Sequence, residues 1–146
     1  MGKVMDLIIK NGFVVSSERI IEADIAIGDG VIQEIDSGLS TKVAAKIVDA
    51  SGKYILPGVI DVHAHFHDEP PYVDDLQALS RTAAFGGTTT ILPFLFVKKG
   101  QGVVDNLKKA IDNGQRSSFL DFGFHPCMFD TKNQLHEIPD AIRLGV

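Results

Sequence analysis

The stretch LPGVIDVHAHFHDEP, residues 56 to 70, places His63, His65 and His67 at alternate positions behind an apolar run. Successive side chains of a β-strand point to opposite faces, so alternate histidines share one side and can converge on one point. Two neutral imidazoles a strand-step apart are ligands suited to zinc or a similar borderline transition ion. The plainer reading of the same spacing is a pair of surface or packed histidines in a loop. Ile55, Leu56, Val59, Ile60 and Val62 have the content of a strand buried on both faces, and Pro57-Gly58 stands at its entrance, where a missing ladder donor is tolerated. The histidines then fall at the carboxyl end of that strand, the end at which α/β folds bind ligands.

The elements that must position them divide the chain in two. From Met5 to Tyr54, short β-rich runs (LII, FVV, ADIAI, VIQEI, KIVDA) alternate with turn signals at Asn11-Gly12 and Asp29-Gly30, the pattern of antiparallel strands. Asp29-Gly30 reads as a two-residue hairpin turn. After Lys53 the pattern becomes long apolar strands separated by helical stretches: strand 55 to 63, helix 74 to 85, strand 88 to 95, helix 102 to 114, strand 118 to 125 and helix 133 to 143. Such βαβαβα alternation implies a parallel sheet. Asp74 and Asp75 sit where carboxylates cap a helix, and Gly86 is expected in the left-handed conformation at that helix's end. Cys127 reads as a small buried apolar residue, with a reactive or ligand role as the alternative. His136 is expected to be exposed.

Composition sets the outer limits. Hydrophobic residues make up 45% of the 146 and charged residues 23%, values of an ordinary globular protein. The formal net charge is −5 and the lysines are scattered or in short pairs, which offers no basic stripe for a phosphate backbone, so nucleic acid is not an expected partner. No apolar run approaches a membrane span and the first residues lack the layout of a signal peptide, so no membrane partner is expected and the cytoplasm is the default location. A single cysteine suits a reducing compartment.

PGVIDVHAHFHDEP, LQALSRTAAFGGTTTILPF and SFLDFGFHPCM, with the opening DLIIKNGFVVSSERIIEADIAIGDGVIQEI, resemble the cyclic amidohydrolases, the group of hydantoinases and dihydropyrimidinases, allantoinases and dihydroorotases. The resemblance runs through essentially the whole chain. It implies an α/β fold: an amino-terminal β-rich (sandwich) region over 1–54 and, over 55–146, a partial TIM-barrel domain with the first three βα units of an amidohydrolase-type (β/α)8 barrel. A complete barrel takes about 250 residues, so the chain is expected to be the amino-terminal part of a longer protein, ending before the fourth strand.

The same resemblance implies site roles. The two histidines of Asp-x-His-x-His carry over onto His63 and His65 as ligands of the more buried ion of a binuclear zinc (or other divalent transition metal) centre. Asp61 takes a supporting role, orienting groups around the ligands. The remaining ligands, and the aspartate that serves as acid/base, lie beyond this chain, so no catalytic residue is expected within it and it should be inactive alone. His67 stands where dihydroorotases carry a carboxylate-binding arginine, and Phe94 where they carry an asparagine. Both departures favour the hydantoinase branch. His67 is read as a loop residue, with a third ligand or a substrate hydrogen-bond donor as alternatives, and His125 as a pocket filler or supporting group. The implied reaction is hydrolysis of a small cyclic amide or ureide by a metal-activated hydroxide, in a homo-oligomeric parent. The alternatives are the allantoinase or dihydroorotase branch, a noncatalytic dihydropyrimidinase-like scaffold, and a small binding module complete in itself.

Overall fold

The computed structural model describes residues 4–39, 43–66 and 75–146. They form two compact units, Met1–Pro57 and Gly58–Val146. His67 and Asp74 lie outside the described residues.

The first unit is a mixed five-stranded sheet. Its strands are β1 (Met5–Val15), β2 (Ile20–Gly28), β3 (Val31–Asp36), β4 (Ala44–Asp49) and β5 (Tyr54–Ile55), in the order β3-β2-β1-β4, with β5 also beside β1. Asp29 and Gly30, with φ of 55° and 73°, make the expected tight turn between β2 and β3. Asn11-Gly12 does not turn the chain. LII and FVV belong to one strand, and Asn11, at φ 60°, is the extra residue of a bulge where the register against β2 shifts between Ile9 and Gly12. The left-handed Asn11 is held by two hydrogen bonds of its own, and the carboxylate that takes one of them is fixed by a third. Asp24 Oδ1 accepts its backbone N–H at 2.9 Å, Asp24 Oδ2 accepts from the Leu39 amide at 3.1 Å, and Asn11 Nδ2 donates to Asp49 at 3.0 Å. The Ser51 hydroxyl and the Asn11 amide hold the Asp49 carboxyl below its ordinary value. The antiparallel expectation fails for β4 and β5, which run parallel to β1. Turn signals reveal hairpins; they do not reveal that the chain passes from the β3 edge to the far side of β1. Met5, Ile8, Ala26 and Leu39 form the buried core of this unit, with Ala44 against them.

The second unit alternates as expected: β6 (Val59–Ala64), α1 (Leu76–Phe85), β7 (Thr88–Val97), α2 (Val103–Ser117), β8 (Asp121–Phe122), β9 (His125–Met128), α3 (Thr131–Gln134), a 3-10 turn (Leu135–Glu137) and α4 (Ile138–Arg143). The sheet is parallel, in the order β6-β7-β8, with β9 taking up the pairing to β7 beyond β8. The single strand expected over 55 to 63 is divided, because Tyr54–Ile55 pairs with β1 and only Val59 onward joins β7. The strand expected over 118 to 125 is likewise interrupted at Gly123-Phe124, and Thr131 to Arg143 holds two short helices about a 3-10 turn.

Asp75 caps α1, its Oδ1 accepting from the Ala78 amide at 2.7 Å. At the other end Gly86 keeps a right-handed φ of −82° and Gly87 takes the left-handed one at 85°, one residue later than expected. The helices pack on one face of the sheet, burying Leu76, Ile91, Val97, Val103, Leu107, Phe124 and Ala141 together. Close approach of α2 depends on Gly114, where a Cβ would sit 2.4 Å from the Phe122 ring. Two buried polar side chains tie the layers. Ser80 Oγ accepts from the Phe119 amide at 3.1 Å, and Gln134 Nε2 donates to the Gln101 and Lys98 carbonyls at 3.1 and 3.2 Å while its Oε1 accepts from the Asp130 amide at 2.9 Å.

Burial on both faces of the first apolar strand does not hold. Val59, Ile60 and Val62 are 55%, 60% and 59% exposed, because among the described residues β6 has a neighbour on one side only. Cys127 is half-buried and free rather than fully enclosed, and His136 is exposed.

Candidate metal centre

Period two decides what surrounds the histidines. Along β7, Ile91, Pro93 and Val97 are buried, Ile91 and Val97 in the core beneath the helices, while Phe94 and Phe96 alternate with them and point to the opposite face. Along β6, Ala64 is buried, and His63 and His65 take the other parity. The histidines of one strand and the aromatic rings of the next therefore share a face at the carboxyl end of a parallel sheet.

On that face His63 Nε2 and His65 Nε2 are 3.2 Å apart. Two nitrogens bound tetrahedrally to one zinc at about 2.0–2.1 Å would be separated by about 3.3 Å, so the donor atoms fit a shared ion. The same approach is also that of a hydrogen bond between a protonated and an unprotonated ring nitrogen. Both residues are exposed. Asp61 lies two residues earlier with the same parity, and its Oδ1 accepts the His63 backbone N–H at 3.0 Å. The carboxylate thus braces the strand at His63 rather than touching an imidazole nitrogen. Among the described residues no group of three or more His, Cys, Asp or Glu side chains comes together.

Aromatic contacts surround the pair. The Phe94 ring centroid is 4.7 Å from that of His63, 5.2 Å from that of His65 and 5.3 Å from that of His125. His65 lies nearly parallel to Phe94, at 17°, and nearly parallel to Phe96, at 21° and 5.8 Å. His125 reaches this cluster because β9 pairs with β7 in a register that sets it beside Phe94. Of the residues singled out in the sequence, the fold thus gathers His63, His65, Phe94 and His125 on one face, with Asp61 bonded to the backbone at His63. Phe96 was not foreseen. Its signal is the FLF spacing, which shares period two with the histidines but becomes informative only once β6 and β7 are paired.

No family model matches the sequence. Individual proteins do. The chain is 38% identical to a D-hydantoinase of Geobacillus stearothermophilus, over 94% of its own length and 30% of the relative's. It is 36% identical to a dihydroorotase of Lactobacillus helveticus, over 96% of its length and 32% of the relative's. Among solved structures, the dihydropyrimidinase from Brevibacillus agri superposes with a TM-score of 0.84 at 31% identity, covering 94% of this chain and 31% of that one. The chain spans about a third of the length of the curated relatives it matches. Homology over nearly all of its residues, in sequence and in structure, makes it a member of the cyclic amidohydrolase family, corresponding to the amino-terminal part of those enzymes.

Proposed function

We propose that this chain supplies the first two ligands of a divalent metal centre in an enzyme that opens small cyclic amides or ureides by hydrolysis. The observation that carries the reading is the 3.2 Å approach of two Nε2 atoms at the carboxyl end of a parallel strand. His63 and His65 would hold zinc or a similar ion. When bound, such an ion acidifies water and polarises the ring carbonyl. The chain's own contribution is positional: β6 presents both imidazoles in one direction, and Asp61 fixes the backbone at His63. Neither histidine moves the proton, because the acid/base and the remaining ligands come from strands beyond these residues. On this reading β6-α1, β7-α2 and β8/β9 with their helices are the first three βα units of a (β/α)8 barrel, and the first unit is part of a β-sandwich.

The hydantoinase and dihydropyrimidinase branch is preferred to dihydroorotase on two positions. Position 67 is a histidine, which cannot offer a carboxylate the bidentate fork of arginine. Position 94 is a phenylalanine, whose ring packs on the histidines and offers no amide to a polar substrate. For a protein carrying this chain as its amino-terminal part, kcat/KM should be higher for dihydrouracil or a 5-substituted hydantoin than for dihydroorotate. Assaying those substrates and allantoin side by side tests the branch, and dihydroorotate proving the best substrate would overturn it. The isolated 146-residue chain should open none of these rings in zinc or manganese. Turnover that His63→Ala abolishes would refute the view that the other ligands are needed.

A further inference from the structure

From the ring geometry we infer that Phe94 is a positioning residue for the two-histidine site, setting the orientation of both imidazoles through its faces and edges rather than through a hydrogen bond. A metal-binding histidine is ordinarily aimed by a hydrogen bond from its other ring nitrogen to a carboxylate or backbone carbonyl. Here, among the described residues, the hydrogen bond at either ring is the one between the two Nε2 atoms. Asp61, the nearest carboxylate in sequence, is engaged with the His63 backbone. What touches the rings instead is aromatic. Phe94 meets His63 edge-on at 65° and His65 face-on at 17°, while Phe96, two residues along the same strand, extends the stack under His65.

A face-on neighbour hinders the His65 ring from tilting toward Phe94, and an edge-on neighbour hinders the His63 ring from swinging toward it. One side chain therefore limits both rings to directions in which their Nε2 atoms meet. Offset and edge-to-face pairs of this kind are favourable beyond the area they bury, enough to bias a ring between rotamers. Phe94 is itself half-buried and held on one side by its pairing with His125 of β9. The role of Phe94 toward a metal rests on the reading that His63 and His65 are ligands; its role in aiming the rings does not.

The test uses the protein that carries this chain as its amino-terminal part, labelled with 13C at histidine Cε1, with zinc ion as the probe. In the unsubstituted chain the His65 Cε1–H proton should be shifted upfield by the Phe94 ring. Phe94→Leu should abolish that shift and weaken zinc binding by about tenfold or more, the usual cost of losing a group that orients a ligand. Phe94→Tyr should restore both. Far-UV circular dichroism and the midpoint of thermal unfolding establish that each variant is folded, and Phe96→Leu, which removes only the outer part of the stack, should have a smaller effect on both readouts. Unchanged histidine shifts in folded Phe94→Leu would overturn the positioning role. So would shifts and zinc affinity that fall equally in Phe94→Tyr and Phe94→Leu. Loss in Phe94→Leu of the nuclear Overhauser contact between the His63 and His65 Cε1 protons, with zinc binding absent even from the unsubstituted chain, would uphold positioning while refuting the metal reading.

Discussion

At the scale of single residues, the histidine pair was legible and its surroundings were not. Strand period two brings His63 and His65 together whatever the rest of the molecule does, because it depends on three consecutive residues of backbone. The Phe94 and Phe96 rings depend on which strand lies next to β6 and in what register, and a register is a property of two segments at once. The same holds for Gln134. Nothing local marks it, yet it is only 1% exposed and its amide gathers the carbonyls at the end of β7 and its following turn while its oxygen takes the Asp130 amide. Gln134→Leu keeps the volume and removes both functions, leaving enclosed backbone groups without partners. It should lower the unfolding free energy by about 1–3 kcal/mol in urea titrations, and Gln134→Glu, which sets a carboxylate oxygen against the same carbonyls, should cost at least as much at neutral pH.

At the scale of elements, helices were placed to within a few residues because apolar spacing and caps are local, whereas the strand directions of the first unit were misjudged because a crossover leaves no local mark. The start of α2 shows another non-local device. Gly102 gives it no capping side chain, and Glu137, from the 3-10 turn before α4, reaches across to accept the Val104 amide at 2.9 Å. That hydrogen bond, with help from the Val103 amide and the nearby His136, holds the Glu137 carboxyl below its ordinary value of 4.5, against the opposing effect of desolvation. A carboxylate with a lowered folded pKa contributes stability above its unfolded pKa and loses it as pH falls through the folded value. The attachment of α4 to α2 should therefore hold at pH 6 and weaken below about pH 4.5, and Glu137→Gln should flatten that part of the curve. Urea unfolding of both forms at pH 6, 4 and 3 measures the difference.

At the scale of the whole molecule, each unit has a compact core, yet both expose large apolar side chains. Ile32, Ile35 and Ile47 are exposed in the first sheet and Val59, Ile60 and Val62 along β6. Unpaired edges and apolar faces of this kind favour association, so the isolated chain should scatter light as oligomers at micromolar concentration. A cooperatively unfolding monomer would contradict that expectation. The interruptions of the second sheet were not legible in the sequence, and one of them has a dynamic meaning. Pro93 lies fully buried in a strand with neighbours on both sides, a place that proline normally avoids because it has no amide to donate. The sheet accommodates it by breaking at that level: β6 changes register between Asp61 and Ala64, and pairing with β8 ends at Ile91↔Phe122 before β9 resumes it at Phe94↔His125. β7 is then mechanically two strands in series. Deuterium should enter the segment from Phe94 to Val97 with its own opening free energy, separate from that of Thr88 to Ile91, and the rings that aim the histidines can breathe without unravelling the body of the sheet.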